Sequence, residues 1–305
     1  MTKRLVFIAS GGRTGTQFFG HRLGEILPDC HSEHEPDMVA GLSALTFDRV
    51  RRFGAWHMGP GRALGLTGVR RLGERYLTGT ISAARCFAQL RAARRAYHAG
   101  IDRGLVVESY YAWWMFAECL GEIWPGARLA GVIRDPRAWI ASWQRHAPRR
   151  RNGAWSERWP PGPLTPRKLG EPISDRDWRA LGQVGRLAWE WALIEARLAE
   201  AAAQNPSVAV FRFEDLFSGR PQALEPFLRF VLAQPDGPLA TTLDPDLAVA
   251  DVRNASAPTR SGGAVWEGFS PAEAGLIDRF CRPGMTRMGY GGDARWRDML
   301  PDAGA

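Results

Sequence analysis

Residues 5–18 read Leu-Val-Phe-Ile-Ala-Ser-Gly-Gly-Arg-Thr-Gly-Thr-Gln-Phe, an apolar run followed by a glycine-rich loop and the start of an apolar helix. The run Leu5–Ile8 predicts a buried strand. Glycines let backbone N–H groups approach a phosphate, and the helix N-terminus adds a partial positive charge. Arg13 can place a permanently charged guanidinium at the same point. The stretch predicts a strand–loop–helix unit that binds a phosphorylated ligand; the alternative is a tight turn that binds nothing.

The loop lacks the residues of a nucleoside triphosphatase. That class needs Gly-x-x-x-x-Gly-Lys-[Ser/Thr], in which the lysine contacts the phosphates and the hydroxyl holds Mg²⁺. The chain has only two lysines, Lys3 and Lys168, and neither follows a glycine of this loop. The dinucleotide fingerprint Gly-x-Gly-x-x-Gly is not present either. The loop therefore predicts a phosphate cradle without a metal site.

Length and composition set the class of protein. The 305 residues are enough for one large domain. No apolar run reaches the roughly 20 residues that a membrane-spanning helix needs, and the N-terminal apolar run is too short for the core of a signal peptide. We therefore expect a cytoplasmic protein. The four cysteines lack the spacing of a zinc site or a disulfide framework.

The charge of the chain is strongly basic and uneven. The net charge is +8, and all but two of the 40 basic residues are arginine. They concentrate in residues 59–104 and 146–168. Such segments are either solvated surface or a basic rim that faces an anionic ligand or acceptor. No recognition fold and no basic–aromatic repeat indicates nucleic-acid binding, so none is expected.

Further apolar runs and helical periodicities continue the strand–helix alternation. Strands are predicted at 105–107, 128–133 and 207–213, and helices at 112–123, from 136, and at 178–203, 221–232 and 271–281. This alternation predicts a single α/β domain over 1–305 with a parallel β-sheet flanked by helices. Ligands of such sheets bind at the carboxyl ends of the strands. We therefore expect the loop at 10–16, Glu108, Arg134 and Glu214 to meet at one edge.

A second anion site is predicted where the strand at 128–133 ends. Arg134 follows that strand directly, and Pro136 suits the first turn of the next helix. Ser142 lies two helical turns further on, so Arg134 and a helix-borne hydroxyl can hold a second phosphate. The alternative is a local Arg134–Asp135 pair beside an ordinary serine. Two such sites predict a ligand with two separated phosphate groups.

Three segments of the chain resemble motifs of one known protein family. Ser10–Phe19 looks like the 5′-phosphosulfate loop of sulfotransferases, and Val132–Ser142 looks like their 3′-phosphate motif. Phe211–Leu216 is similar to their Tyr-Glu-Asp-Leu segment. The resemblance, which extends to bacterial members, implies 3′-phosphoadenosine-5′-phosphosulfate (PAPS) as donor and its bisphosphate (PAP) as product. It also implies a P-loop-like three-layer sandwich and metal-independent transfer to a hydroxyl or amine.

The resemblance assigns the donor site residue by residue. Arg134 and Ser142 would hold the 3′-phosphate, and Phe213 would lie near the adenine in place of the family's tyrosine. Arg260 and Gly262, shortly before Trp266, would close over the 3′-phosphate. The 5′-phosphate and the sulfate would be wrapped by Gly12, Arg13, Thr14, Gly15, Thr16 and Gln17.

The resemblance also implies a base and an acceptor. The residues His31-Ser32-Glu33-His34-Glu35-Pro36 form the densest titratable cluster of the chain. Glu35 best matches the family's Glu-Pro base, with Arg13 stabilising the leaving phosphate; Glu33, His34 and Glu108 are alternative bases. Segments 42–104 and 146–177 would form a cap over the acceptor, which could be a sugar, lipid, phenol or other metabolite, and the basic charge favours an anionic one.

One family residue is missing, and two other functions compete. Related bacterial enzymes carry Glu-Lys-Thr-Pro where this chain has Glu108-Ser109-Tyr110-Tyr111, so an arginine of the basic segments would have to replace that lysine. The competing functions are a P-loop kinase-like phosphotransferase, which predicts Mg²⁺ dependence, and a non-enzymatic basic protein that binds anions or polysaccharides. The sequence predicts neither the acceptor nor the oligomeric state.

Overall fold

The computed structural model describes residues 3–38, 43–146, 164–250, 264 and 266–301. In this part of the chain five parallel strands form one sheet in the order β2-β3-β1-β4-β5. The strands are β1 Arg4–Ser10, β2 Cys30–His34, β3 Leu105–Ser109, β4 Arg128–Ile133 and β5 Val208–Arg212. The predicted α/β fold with a parallel sheet is confirmed.

Helices connect the strands. The α-helices are α1 Thr16–Ile26, α2 Ala44–Phe53, α3 Ala55–Met58, α4 Pro60–Ala63, α5 Val69–Leu77, α6 Ala83–Ala99, α7 Leu120–Ile123, α8 Pro136–His146, α9 Asp175–Ala180, α10 Gly182–Gln204, α11 Phe213–Leu216, α12 Glu225–Leu232, α13 Pro245–Ala250, α14 Pro271–Arg287 and α15 Ala294–Asp298. Two short 3-10 helices span Tyr111–Phe116 and Pro166–Leu169. Among the described residues no helix is both long and apolar enough to cross a bilayer.

The sheet is the middle of three layers because its strands bury both faces. Alternation along β1 sends Val6 and Ile8 into a core that is shared with α1 and α12. Phe7 and Ala9 point to the opposite core, which is shared with α8, α10 and α14. Burial on both faces explains the continuous apolar run that the sequence shows in β1.

The structure differs from the predicted elements at three points, the first of which is a strand that the sequence analysis did not predict. The polar run at 30–34 forms the edge strand β2, because an edge position needs backbone pairing with only one neighbour, β3. The helix predicted over 112–123 is a 3-10 helix followed by α7; residues 112–116 are all buried, which leaves no polar helix face. The helix predicted over 178–203 is divided at Gly182, whose φ of 62° lies in the left-handed region.

The strand register brings the predicted site elements together. Ile8 of β1 pairs with Ser109 at the end of β3, and Ser10 pairs with Val132 near the end of β4. The three central strands therefore end at the same level. The glycine-rich loop and Arg134 leave the sheet at one carboxyl edge, as the sequence predicts, and Tyr110 leaves β3 at the same edge.

Candidate active site

The loop between β1 and α1 has the backbone of an anion cradle. Gly12, Arg13 and Gly15 have φ values of 75°, 56° and 76°. The Gly12 N–H donates to Ser10 Oγ at 3.1 Å, which fixes the start of the loop. Helix α1 begins after Gly15 with no side-chain cap and no acidic residue in its first turn. The first turn of α1 therefore supplies no acidic side chain to its positive N-terminus.

Two tryptophans of α8 pack on this loop. A Cβ atom at Gly11 would lie 2.9 Å from Trp139, and one at Gly12 would lie 3.0 Å from Trp143. Trp139 Nε1 also donates to the Gly12 carbonyl oxygen at 2.8 Å. These glycines are thus required by close packing as well as by backbone geometry. Sequence reasoning missed both tryptophans, although their spacing of four residues on a helix that starts at the sheet edge could have indicated them.

The side chains of the two predicted anion sites meet. Arg13 Nε donates to Ser142 Oγ at 3.4 Å, and Arg134 Nη1 donates to the Arg13 carbonyl oxygen at 3.3 Å. The Arg134 guanidinium carbon lies 4.8 Å from the centre of the Phe213 ring. Residues from three distant segments of the chain therefore form one cluster. Phe213 lies in this cluster, beside the residues that are predicted to bind phosphate.

The electrostatics of this cluster favour an anion. Burial lowers the pKa of Arg134; the nearby Arg145 and Arg13 act in the same direction, and Glu214 opposes them. Arg134 Nε and Thr14 Oγ1 are buried and have no hydrogen-bond partner within the described part of the chain. Because unpaired buried polar atoms are costly, an anion that accepted from both groups would stabilise the cluster.

The turn that carries Arg134 is held from two sides. Glu214 accepts a hydrogen bond from the Asp135 N–H at 3.1 Å and another from the Tyr290 hydroxyl at 2.6 Å. Trp191 Nε1 donates to the Arg134 carbonyl oxygen at 2.8 Å. Glu214 thus lies at the carboxyl edge, as predicted, and it braces the turn. Sequence analysis did not find Tyr290, since its contact with Glu214 spans 76 residues.

Glu35 is buried where the chain leaves β2. Its carboxylate side chain is 11% exposed, and its N–H donates to the Ser109 carbonyl oxygen at 3.0 Å. Burial raises the pKa of Glu35 to about 7; Asp37 adds to this rise, and Arg62 and Arg49 oppose it. A carboxylate with that pKa suits a general base near neutral pH. The residues around Glu35 are therefore not an exposed loop: Glu35, Pro36 and Asp37 are all buried.

Two of the alternative bases have less suitable environments. Glu33 accepts from the Tyr97 hydroxyl at 3.1 Å and lies 3.3 Å from Arg52. Although burial acts to raise it, hydrogen bonds with His31 and Tyr97 lower the pKa of Glu33. Burial lowers the pKa of His34 to about 4, and its Nδ1 is hydrogen-bonded to the Ser109 carbonyl oxygen at 3.2 Å. Both groups would be weak bases near neutral pH.

Glu108 is part of the core. It lies within β3, not after it, and it is 1% exposed. Arg94 Nε donates to its Oε2 at 2.9 Å, and His98 Nε2 lies 2.6 Å from its Oε1. The expectation that Glu108 faces the site edge is wrong, because both carboxylate oxygens are used by α6.

Part of the basic charge at 59–104 is neutralised inside the protein. Arg94 is completely buried and contacts both Glu108 and Asp37. Arg70 and Arg71 both bind the buried Glu74. Arg94 therefore cannot contact an anionic acceptor. Arg260, Gly262 and most of the predicted cap segment 146–177 lie outside the described residues.

Comparison with known proteins finds similarity to solved structures. No protein-family model matches the chain, and no curated protein matches it. The chain is similar to the crystal structure of a sulfotransferase from Alicyclobacillus acidocaldarius, with 15% sequence identity and a TM-score of 0.42 over 97% of this chain and 100% of that one.

Proposed function

We propose that this chain is a sulfotransferase that moves a sulfuryl group from PAPS to a hydroxyl group of an acceptor. The observation that carries the proposal is the meeting of Arg13, Arg134 and Ser142 at the carboxyl edge of the sheet. The two guanidinium groups, those of Arg13 and Arg134, belong to loops that follow the neighbouring strands β1 and β4. Such an arrangement suits a ligand with two separated phosphate groups.

The donor would supply an activated sulfuryl group on its 5′-phosphate. The backbone of residues 12–17 and the Arg13 guanidinium would bind that phosphate and the sulfate, with Thr14 Oγ1 as a further donor. Arg134 and Ser142 would bind the 3′-phosphate, and Phe213 would contact the adenine. Arg260 and Gly262 keep their proposed role over the 3′-phosphate.

The proposed transfer needs one base and one cation. Glu35 takes the proton from the acceptor hydroxyl while the hydroxyl oxygen forms a bond to sulfur. The bond between sulfur and the bridging phosphate oxygen breaks, and its electron pair stays on the departing phosphate. Arg13 and the loop N–H groups stabilise that negative charge, so the positive charge that a metal supplies in other transferases comes from the protein.

Calorimetric titration of the metal-free protein with PAP, 5′-AMP and ATP–Mg²⁺ tests the donor site. We expect tight binding of PAP and weaker binding of 5′-AMP, which lacks the 3′-phosphate. Arg134→Ala should weaken PAP binding by roughly 10- to 100-fold, the effect of losing a hydrogen bond to a charged group. The matched control is Arg282→Ala, whose exposed side chain pairs with Asp278 on α14, and it should bind PAP like the wild type.

The other outcomes discriminate between functions. Preference for ATP–Mg²⁺ would favour a kinase, and no binding of any of the three would favour a non-enzymatic protein. If PAP binds, labelled PAPS is then offered with one sugar, one phenol and one long-chain alcohol. Transfer of label by the wild type that Glu35→Gln abolishes without loss of PAP binding would support the role of Glu35 as base.

A further inference from the structure

Asp37 lies two residues after Glu35 and is completely buried. Its Oδ2 accepts from His57 Nε2 at 2.9 Å and from Arg94 Nη1 at 3.1 Å. Its carbonyl oxygen accepts a hydrogen bond from Arg62. Since these partners belong to α3, α6 and α4, Asp37 is fastened to three helices outside its own segment.

The turn that carries Glu35 needs such an anchor. Glu35 has a φ of 46°, a left-handed conformation that is costly for a residue with a side chain. The Glu35 N–H donates to the Ser109 carbonyl oxygen at 3.0 Å, and the Met38 N–H donates to the Glu35 carbonyl oxygen at 2.9 Å. Asp37 contributes the buried side-chain contacts within this turn. Its tether therefore fixes the direction in which the Glu35 carboxylate leaves the sheet.

Asp37 also acts on Glu35 through its charge. Although burial opposes it, contact with Arg94 and His57 holds the pKa of Asp37 well below its usual range, so the carboxylate is ionised. A like charge close by disfavours ionisation of Glu35. The titratable and charged groups that act on Glu35, or are acted on by it, come from several elements and are His34, Asp37, Arg49, Arg62, Tyr110 and Tyr111.

These groups pull in opposite directions. Arg49 and Arg62 favour the ionised form of Glu35, whereas burial and Asp37 favour the protonated form. His34 Nε2 lies 3.9 Å from Glu35 Oε2, but burial keeps the imidazole of His34 neutral near pH 7. Asp37 is therefore the negative charge that offsets the two arginines.

We propose that Asp37 is a positioning residue for Glu35: it anchors the turn that presents the Glu35 carboxylate and places a buried negative charge beside it. The inference rests on the proposed function for the role of Glu35 as base. The coupling between the two carboxylates can be measured without any acceptor.

The test is a carbon-13 NMR titration of the full chain with labelled glutamate side chains. The signal of Glu35 is identified by its absence from Glu35→Gln. We expect Glu35 to titrate near pH 7 in the wild type and about one pH unit lower in Asp37→Asn, which loses a neighbouring negative charge. Asp37→Glu keeps the charge and should keep the high midpoint.

Glu108→Gln is the matched control, because Glu108 binds the same Arg94 through a different nitrogen. It should disturb the buried network without moving the Glu35 midpoint. An unchanged midpoint in Asp37→Asn, or an equal shift in Glu108→Gln, would overturn the proposal. If Asp37→Asn does not fold, Asp37→Ser is measured with the same expectation.

Activity and PAP binding distinguish the role of Asp37 from the proposed sulfotransferase function. Once an acceptor is known, the acid limb of the kcat/KM profile should move with the NMR midpoint in Asp37→Asn. PAP affinity should stay within about twofold of the wild type, since the hydrogen-bond partners of Asp37 among the described residues are His57, Arg94 and Arg62, which are not part of the proposed donor site. A shifted midpoint in a chain whose wild type binds no PAP would contradict the sulfotransferase proposal but support the coupling of Asp37 to Glu35.

Discussion

Arg13 Nε lies 3.4 Å from Ser142 Oγ, so the glycine-rich loop after β1 is joined to the helix after β4 by a hydrogen bond between side chains 129 residues apart. Arg134 completes the connection by donating to the Arg13 carbonyl oxygen. The two predicted phosphate-binding elements therefore act as one unit, and a change in either should alter binding of a two-phosphate ligand.

Ser142→Ala tests this unit with a small change. The variant removes the Arg13 partner and one proposed phosphate donor, so PAP affinity should fall roughly 5- to 10-fold, the effect of one hydrogen bond. Isothermal calorimetry gives the affinity. Ser218→Ala, which removes a hydroxyl that donates to Asp215 at the surface, is the control. Equal affinities of Ser142→Ala and the wild type would contradict the prediction.

Gly11→Ala should damage the loop through packing. The added Cβ would lie 2.9 Å from the buried ring of Trp139, and overpacking of this kind costs about 1–3 kcal/mol. Urea unfolding should show that loss, and PAP binding should weaken with it because Trp139 also holds the Gly12 carbonyl oxygen. The control is Gly121→Ala in α7, where an added Cβ meets no atom within 4 Å. This variant should keep both the stability and the PAP affinity of the wild type.

Glu35→Gln should change stability in a pH-dependent way. The pKa of Glu35 is raised from 4.5 to about 7 in the folded protein, so the folded state holds a proton that the unfolded state releases between those values. The contribution of Glu35 to stability therefore falls as pH rises from about 4.5 to 7. Glutamine avoids that loss, so the variant should exceed the wild type in the free energy of unfolding at pH 8 by about 1–2 kcal/mol, and less at pH 5.

Urea titrations at the two pH values measure the difference. A gain in stability that is the same at pH 5 and pH 8 would show that the carboxylate of Glu35 does not titrate in this window. The gain at pH 8 is expected to accompany the loss of turnover, since a charge held in a buried site for catalysis is costly for folding.

Arg94→Leu should be among the most destabilising changes in the chain. It leaves Asp37 and Glu108 buried without their shared cation, and breaking a buried pair in this way costs about 3–5 kcal/mol. Arg95→Leu is the control, because the adjacent side chain is exposed on the same helix. The free energy of unfolding at pH 7 measures both, and similar values for the two variants would refute the structural role of Arg94.

Local sequence patterns predicted the core of the sheet well. The predicted bounds of β4, residues 128–133, agree with the observed strand Arg128–Ile133, which ends directly before the Arg-Asp-Pro segment at 134–136. The edge strand β2 was missed because its residues His31–His34 are polar, and periodicity detects burial of side chains, not pairing of the backbone. The 3-10 helix at Tyr111–Phe116 was missed for a related reason: nearly every residue in it is buried, so it has no amphipathic pattern.

The sequence by itself determined the strand–loop–helix unit at residues 4–26 and the meeting of Arg13 and Arg134 at one edge. Both follow from local conformational preferences and from the rule that parallel strands end together. Only the tertiary structure decided the roles of the acidic residues. Glu35 and Glu108 are both candidate bases in the sequence. In the structure Glu108 is paired with Arg94 and His98, whereas burial and Asp37 raise the pKa of Glu35. The difference arises because the charge state of a buried carboxylate depends on neighbours that are distant in the chain.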